Sequence, residues 1–120
     1  MARKDRVIAP RRTNRPLSYW RFDIASRTLI PSDHCRAIHG LPDDAPFTFA
    51  DYLASIHPDD RAAHRAALDG AIRDAGKFEA TYRVVWPDGS VHRVQTVGSV
   101  SPAFDGASAQ IIGATIELAN

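Results

Sequence analysis

The side chains best suited to chemistry crowd into one run, Ile56-His57-Pro58-Asp59-Asp60-Arg61. An imidazole and two carboxylates are donor types that a metal accepts, but a metal needs them converging on one point. Here they surround the start of a helix. Pro58 suits the first helical position, and Asp59 and Asp60 oppose the positive end of the helix dipole. The cluster reads as capping, and no metal site is assigned. Hydrolysis would need a nucleophile, a base and an oxyanion hole in one place. The serines fall in turns or at strand ends without a Gly-x-Ser-x-Gly elbow, and no glycine loop is built to cradle phosphate. No catalytic residue is expected, and the chain is read as a non-enzyme. The single cysteine, Cys35, excludes an internal disulfide framework and a cysteine-only zinc site.

His64 is a different case, because it lies on an apolar helical stripe. The clearest helix runs from Pro58 to about Ala75, with Gly76 marking its stop, and places Ala67, Leu68, Ala71, Ile72 and Ala75 on one face. One turn back from Leu68, His64 joins that face. Two shorter helices are expected before it. Ser32 or Asp33 caps the first, which runs through His39 to a left-handed stop at Gly40; Thr48 caps the second, with Phe49, Tyr52, Leu53 and Ile56 at helical spacing.

On either side of the helices the period changes to two. Trp20, Phe22 and Ile24 alternate with Arg21 and Asp23, and Thr28-Leu29-Ile30 completes a hairpin across the turn Ala25-Ser26-Arg27. Phe78, Ala80, Tyr82 and Val84 alternate with Glu79, Thr81 and Arg83, and further strands are expected over Val91–Val100 and Ile111–Leu118. Trp86-Pro87-Asp88-Gly89-Ser90 is turn chemistry, with a positive φ expected at Gly89. Two strands, several helices and three antiparallel strands make an α+β fold, a five-stranded antiparallel sheet with helices packed on one face. Phe78, Ala80, Tyr82, Val94, Thr96 and Thr115 are assigned to the sheet's inner face, and Glu79, Thr81, Arg83, Arg93 and Gln95 to its outer face.

At 120 residues the chain has room for one core and a modest internal pocket. Residues 1–16 carry six basic side chains against Asp5, a net +5, while the remainder holds nine basic and thirteen acidic residues, a net −4. The arm has neither aromatic residues nor an amphipathic period, so it reads as an arm or linker, and the acidic body is a poor nucleic-acid binder. No apolar run approaches the roughly 20 residues of a membrane span, and no signal peptide is evident. Cytoplasmic location and no membrane partner follow as expectations.

Several motifs, in order, carry a family resemblance. Ile56-His57-Pro58-Asp59-Asp60-Arg61, Phe78, Tyr82-Arg83 and Pro87-Asp88-Gly89-Ser90-Val91, with Tyr19-Trp20, Ile38-His39-Gly40-Leu41 and Ile112-Gly113, closely resemble PAS domains of bacterial sensor proteins. The resemblance covers roughly residues 17–118. Two departures stand out. Arg93 occupies a sheet position that often carries tryptophan, and the terminal Asp-Ile-Thr motif is replaced by Glu117-Leu118-Ala119.

The resemblance implies a sensor or interaction module beside a kinase, cyclase or DNA-binding effector in a longer protein. It also implies a cavity between sheet and helices. Three helix alanines (Ala67, Ala71, Ala75) facing Ala80, Thr96 and Gly113 are expected to leave that volume. A small, largely apolar ligand is placed against His64, Leu68, Tyr82 and Thr96. The competing expectation is a solid core filled by Trp20, Phe49 and Phe78, which would make the domain a ligand-free dimerisation module. No cofactor is required. Some PAS oxygen sensors ligate haem iron through a histidine on the corresponding helix, so a haem sensor through His64 is an alternative. The flavin-binding subfamily's Gly-x-Asn-Cys-Arg-Phe-Leu-Gln motif is not met around Cys35, which reads as structural. A weak homodimer is expected through the outer sheet face (Val91, Val97 and Ile116), helped by residues 7–17.

Overall fold

A computed structural model describes residues 17–118 apart from Asp33, Phe104, Asp105 and Ala107. The basic segment 1–16, the expected cap Asp33 and Ala119 lie outside the described residues. Strands β1 (Leu17–Asp23), β2 (Thr28–Pro31), β3 (Lys77–Val85), β4 (Val91–Ser101) and β5 (Gln110–Glu117) form one antiparallel sheet in the order β2-β1-β5-β4-β3. Helices α1 (Cys35–Ile38), α2 (Phe49–Ser55) and α3 (Arg61–Asp74) lie between β2 and β3 in the chain, with a 3₁₀ turn at Pro58–Asp60 before α3. This is the α+β architecture that the change of period implied.

Side-chain alternation divides the sheet. Phe78, Tyr82, Val84, Val94, Thr96, Ile111 and Thr115 are buried on the helix side. Glu79, Thr81, Arg93 and Gln95 are exposed on the other. Trp20, Gly113, Gly98 and Phe78 form one row across four strands. The two glycines leave the middle of that row bare, and Trp20 and Phe78 lean over it from either side to meet edge-to-face at 6.1 Å. Thus the room that Gly113 opens is filled by an indole. Below the row, Phe22, Phe78 and Ile111 pack with Leu68 and Ala71 of α3 in one core cluster. Ile38, Ile56, Tyr82, Val84 and Val94 make a second.

Three local expectations need correction. The helix does not run unbroken from Pro58, because Pro58–Asp60 forms a separate 3₁₀ turn. It ends one residue early: Ala75, not Gly76, takes the left-handed conformation at φ 49° and is exposed. The carbonyl of Gly76 already accepts a hydrogen bond from the Val100 amide, so Gly76 is committed to the sheet and the turn falls before it. Ser32 does not cap α1, since its hydroxyl accepts from the Tyr19 amide and His34 takes the cap position. Elsewhere Thr48 and Asp51 form a reciprocal capping box on α2, and Gly89 has φ 89° at its hairpin tip.

A Cβ at Gly113 would sit against the Val97 carbonyl and 2.5 Å from Cζ2 of Trp20. Gly113→Ala is expected to cost about 1–3 kcal/mol through overpacking, read by denaturant titration. Leu68→Ala, in the cluster beneath, should cost about 2–5 kcal/mol. A loss under about 0.5 kcal/mol in either variant would contradict the packing described.

Candidate functional site

The corner that precedes α3 fixes where its side chains point. The His57 amide donates to the Arg83 carbonyl at 2.8 Å, and Ile56 bridges Val84, so this segment lies along the edge of β3. Arg83 answers with its backbone amide (2.8 Å), Nε (2.9 Å) and Nη2 (2.8 Å), all on the Asp60 carboxylate. Those hydrogen bonds, the Arg83 side chain first, hold the Asp60 carboxyl down to about 2. Asp60 therefore ties helix to strand, and its side chain makes no cap bond. His57 Nδ1 accepts from the Asp59 amide, capping the 3₁₀ turn. Arg61 donates to the carbonyls of Ile56 and Ala54. Among the described residues no group of three or more histidine, cysteine or acidic side chains is placed to hold a metal.

So anchored, α3 carries His64 into the interior, where it is 2% exposed. Its Nε2 bonds the Tyr52 hydroxyl at 2.5 Å, and that hydroxyl also bonds the Tyr82 hydroxyl at 2.8 Å. Phe78 and Tyr82 pack edge-on against the imidazole, with ring centroids 5.5 and 5.1 Å away. A second buried histidine, His39 at the end of α1, bonds Ser55 Oγ through Nδ1 at 2.8 Å. Burial pushes both imidazoles from 6.5 down to about 4 and raises the Tyr52 and Tyr82 phenols. All four groups are uncharged at neutral pH.

Between these groups and the sheet is a cavity of about 40 Å³. Trp20 and Thr115 line it from the sheet, and Cys35, His39, His64 and Leu68 from the helices. His64 and Leu68 thus share one wall. Tyr82 stands behind it, reaching the cavity through Tyr52. Thr96 stands behind Thr115, whose hydroxyl accepts from Trp20 Nε1 (3.0 Å) and donates to Thr96 Oγ1 (2.8 Å). Sequence reasoning did not single out His39, Cys35 or Tyr52 for this wall. Tyr52 carried a signal in its helical spacing, while α1 is too short to show a period.

Residues 31–115 match the family described as the PAS fold. The chain belongs to that family. PAS domains are sensory modules and not catalysts in themselves. Over 65 residues this one is 29% identical to the sensor protein FixL of Bradyrhizobium diazoefficiens, a match that spans 54% of this chain and 13% of that sensor. The crystal structure of a sensory box histidine kinase/response regulator from Burkholderia thailandensis superposes with a TM-score of 0.70 at 25% identity, covering 85% of this chain and 76% of that one. The N-terminal domain of a diguanylate cyclase with PAS/PAC sensor from Marinobacter aquaeolei has the same fold, with a TM-score of 0.67 at 18% identity over 85% of this chain and 94% of that one. No helix among the described residues is long and apolar enough to cross a membrane.

Haem does not fit this PAS domain as packed. Iron would need His64 Nε2, which Tyr52 holds, and an open slot beside it. Phe78 and Tyr82 fill that side, and about 40 Å³ is far too little for a porphyrin.

The two depressed imidazoles give this PAS domain an acid limb. Each histidine binds a proton less readily folded than unfolded. Its contribution to stability is whole above pH 6.5 and is lost as pH falls towards 4. At pH 5 the loss is on the order of 2 kcal/mol per histidine. The Asp60 contribution is lost in the same direction, lower still, from 3.8 towards 2. Denaturant midpoints measured at pH 7 and pH 5 should fall for the wild type and fall less for His64→Phe. Equal falls would show that His64 is not buried neutral.

Proposed function

We propose that residues 17–118 form a regulatory sensor domain whose cavity takes a small, neutral, largely apolar molecule, with residues 1–16 as a basic arm or linker. The observation that carries this reading is the small, largely apolar cavity beneath two uncharged histidines. Its 40 Å³ exceeds the roughly 10–15 Å³ that a single water needs and falls well short of the roughly 150 Å³ that accepts benzene. An occupant of a few heavy atoms suits that volume. His64 and Leu68 would touch it, with Tyr82 and Thr96 holding the Tyr52 and Thr115 hydroxyls in place behind the contact.

The His-Pro-Asp-Asp-Arg and Pro-Asp-Gly-Ser runs favour the subgroup found in cytoplasmic bacterial sensors. The relatives named as kinase and cyclase favour an effector of that kind, in two-component or transcriptional regulation, carried by a longer parent chain. The outer sheet face suits a second copy of the domain. Tyr19 is 60% exposed there, Val97, Val91 and Ile112 add apolar surface, and Ile116 is half-buried beside Leu17. Arg93 interrupts that surface, so the homodimer is weak and is helped by residues 7–17.

A thermal-shift screen tests the cavity. A molecule that binds only the folded state adds about 2.7 kcal/mol at 100 times its dissociation constant. Small alcohols should raise the melting temperature of the wild type, and Leu68→Trp, which fills the cavity, should abolish the shift. Absence of any shift would favour a ligand-free dimerisation module. Protein purified with haem supplied should lack the absorption band of histidine-ligated haem, and its presence would restore the haem alternative.

A further inference from the structure

The cavity wall yields to proton bookkeeping. Ser55 Oγ lies 2.7 Å from the Tyr52 carbonyl, an acceptor only, so the single Ser55 hydroxyl proton is committed there. The bond between Ser55 Oγ and His39 Nδ1 must then take its proton from the imidazole. Burial keeps the ring neutral at pH 7, so Nε2 carries no proton. That nitrogen has no hydrogen-bond partner among the described residues, although His39 is 5% exposed and lines the cavity.

Trp20, Thr115, Cys35 and Ser18 cannot satisfy it. Trp20 Nε1 donates to Thr115, and Thr115 donates to Thr96. Cys35 Sγ donates to the Tyr19 carbonyl, which leaves the Ser18 hydroxyl to donate to that sulfur. The Tyr52 hydroxyl donates to either His64 Nε2 or Tyr82, and His64 Nδ1 has no hydrogen-bond partner among the described residues. A buried acceptor without a donor is destabilising, and an occupant with an O–H or N–H relieves that. Among the described residues no Asp, Glu, Lys or Arg side chain lines the cavity to receive an anion.

We propose that His39 is the polar anchor of the cavity, its bare Nε2 selecting small neutral molecules that donate a hydrogen bond over those that only accept one. The inference rests on the ligand-cavity reading and names its ligand class: hydroxyl or N–H compounds of a few heavy atoms. Ser55 acts as a positioning residue, fixing the tautomer from behind.

Three small probes of similar size test it on the 120-residue chain: ethanol, its isomer dimethyl ether, which has no donor, and acetate, which is an anion at pH 7. Two-bond ¹H–¹⁵N spectra should show the His39 proton on Nδ1. Ethanol should shift the His39 Nε2 resonance and the amides of Cys35 and Ser55 saturably. Dimethyl ether should bind about threefold to tenfold more weakly, the worth of one hydrogen bond, and acetate should leave these signals unmoved. In Ser55→Ala the tautomer is released and the ethanol preference should shrink towards unity. Equal binding of ethanol and the ether, or a proton on Nε2, would overturn the His39 inference while leaving the cavity reading in place. No saturable shift from ethanol or the ether would overturn both.

Discussion

Two adjacent glycines in the middle of the sheet are the constraint on which the rest of the interior depends. Gly98 and Gly113 pair across β4 and β5, so the helix side of the sheet has no side chain at its centre. Trp20 can lie down in that place only because neither residue carries a Cβ. Lying flat, the indole reaches Thr115 with Nε1 and Phe78 with its ring. The helices then rest on an aromatic floor in place of a bare sheet. What remains open is a small space towards β1 and α1, walled by apolar side chains and a few polar groups.

The Asp60–Arg83 pair sets the position of the layer above. Arg83 is partly exposed, yet three donors on one carboxylate give it the geometric definition that a lone surface ion pair lacks. Since Asp60 immediately precedes α3, the pair determines where the first turn of that helix begins, and His64 lies on that turn. The neutrality of His64 thus has a remote origin: a charged corner at the sheet edge delivers an uncharged imidazole to the interior.

Much of this was legible in the residues, for stateable reasons. A half-buried strand must alternate, so Phe78 to Val84 declared which side faced inward, and the stripe of α3 placed His64 and Leu68 on one wall. Asp60 looked like a capping residue because spacing within one segment cannot show its partner, Arg83, 23 positions later. The bonds from Tyr52 to His64 and Tyr82 span 12 and 30 positions, and no local pattern encodes them. His39 and Cys35 belong to a helix of four residues, shorter than any period can reveal. Small residues at Ala80, Thr96 and Gly113 announced room, but residue size alone does not say whether the room stays empty or receives a neighbour's ring.

The strand order also bears on solubility. In the order β2-β1-β5-β4-β3 the outermost strands are β2 and β3. The first has only four residues and ends in Pro31, which lacks an amide to donate. The second has the Ile56–His57 segment laid along one end and charged Lys77 and Glu79 near the other. Both margins are therefore poor templates for another strand.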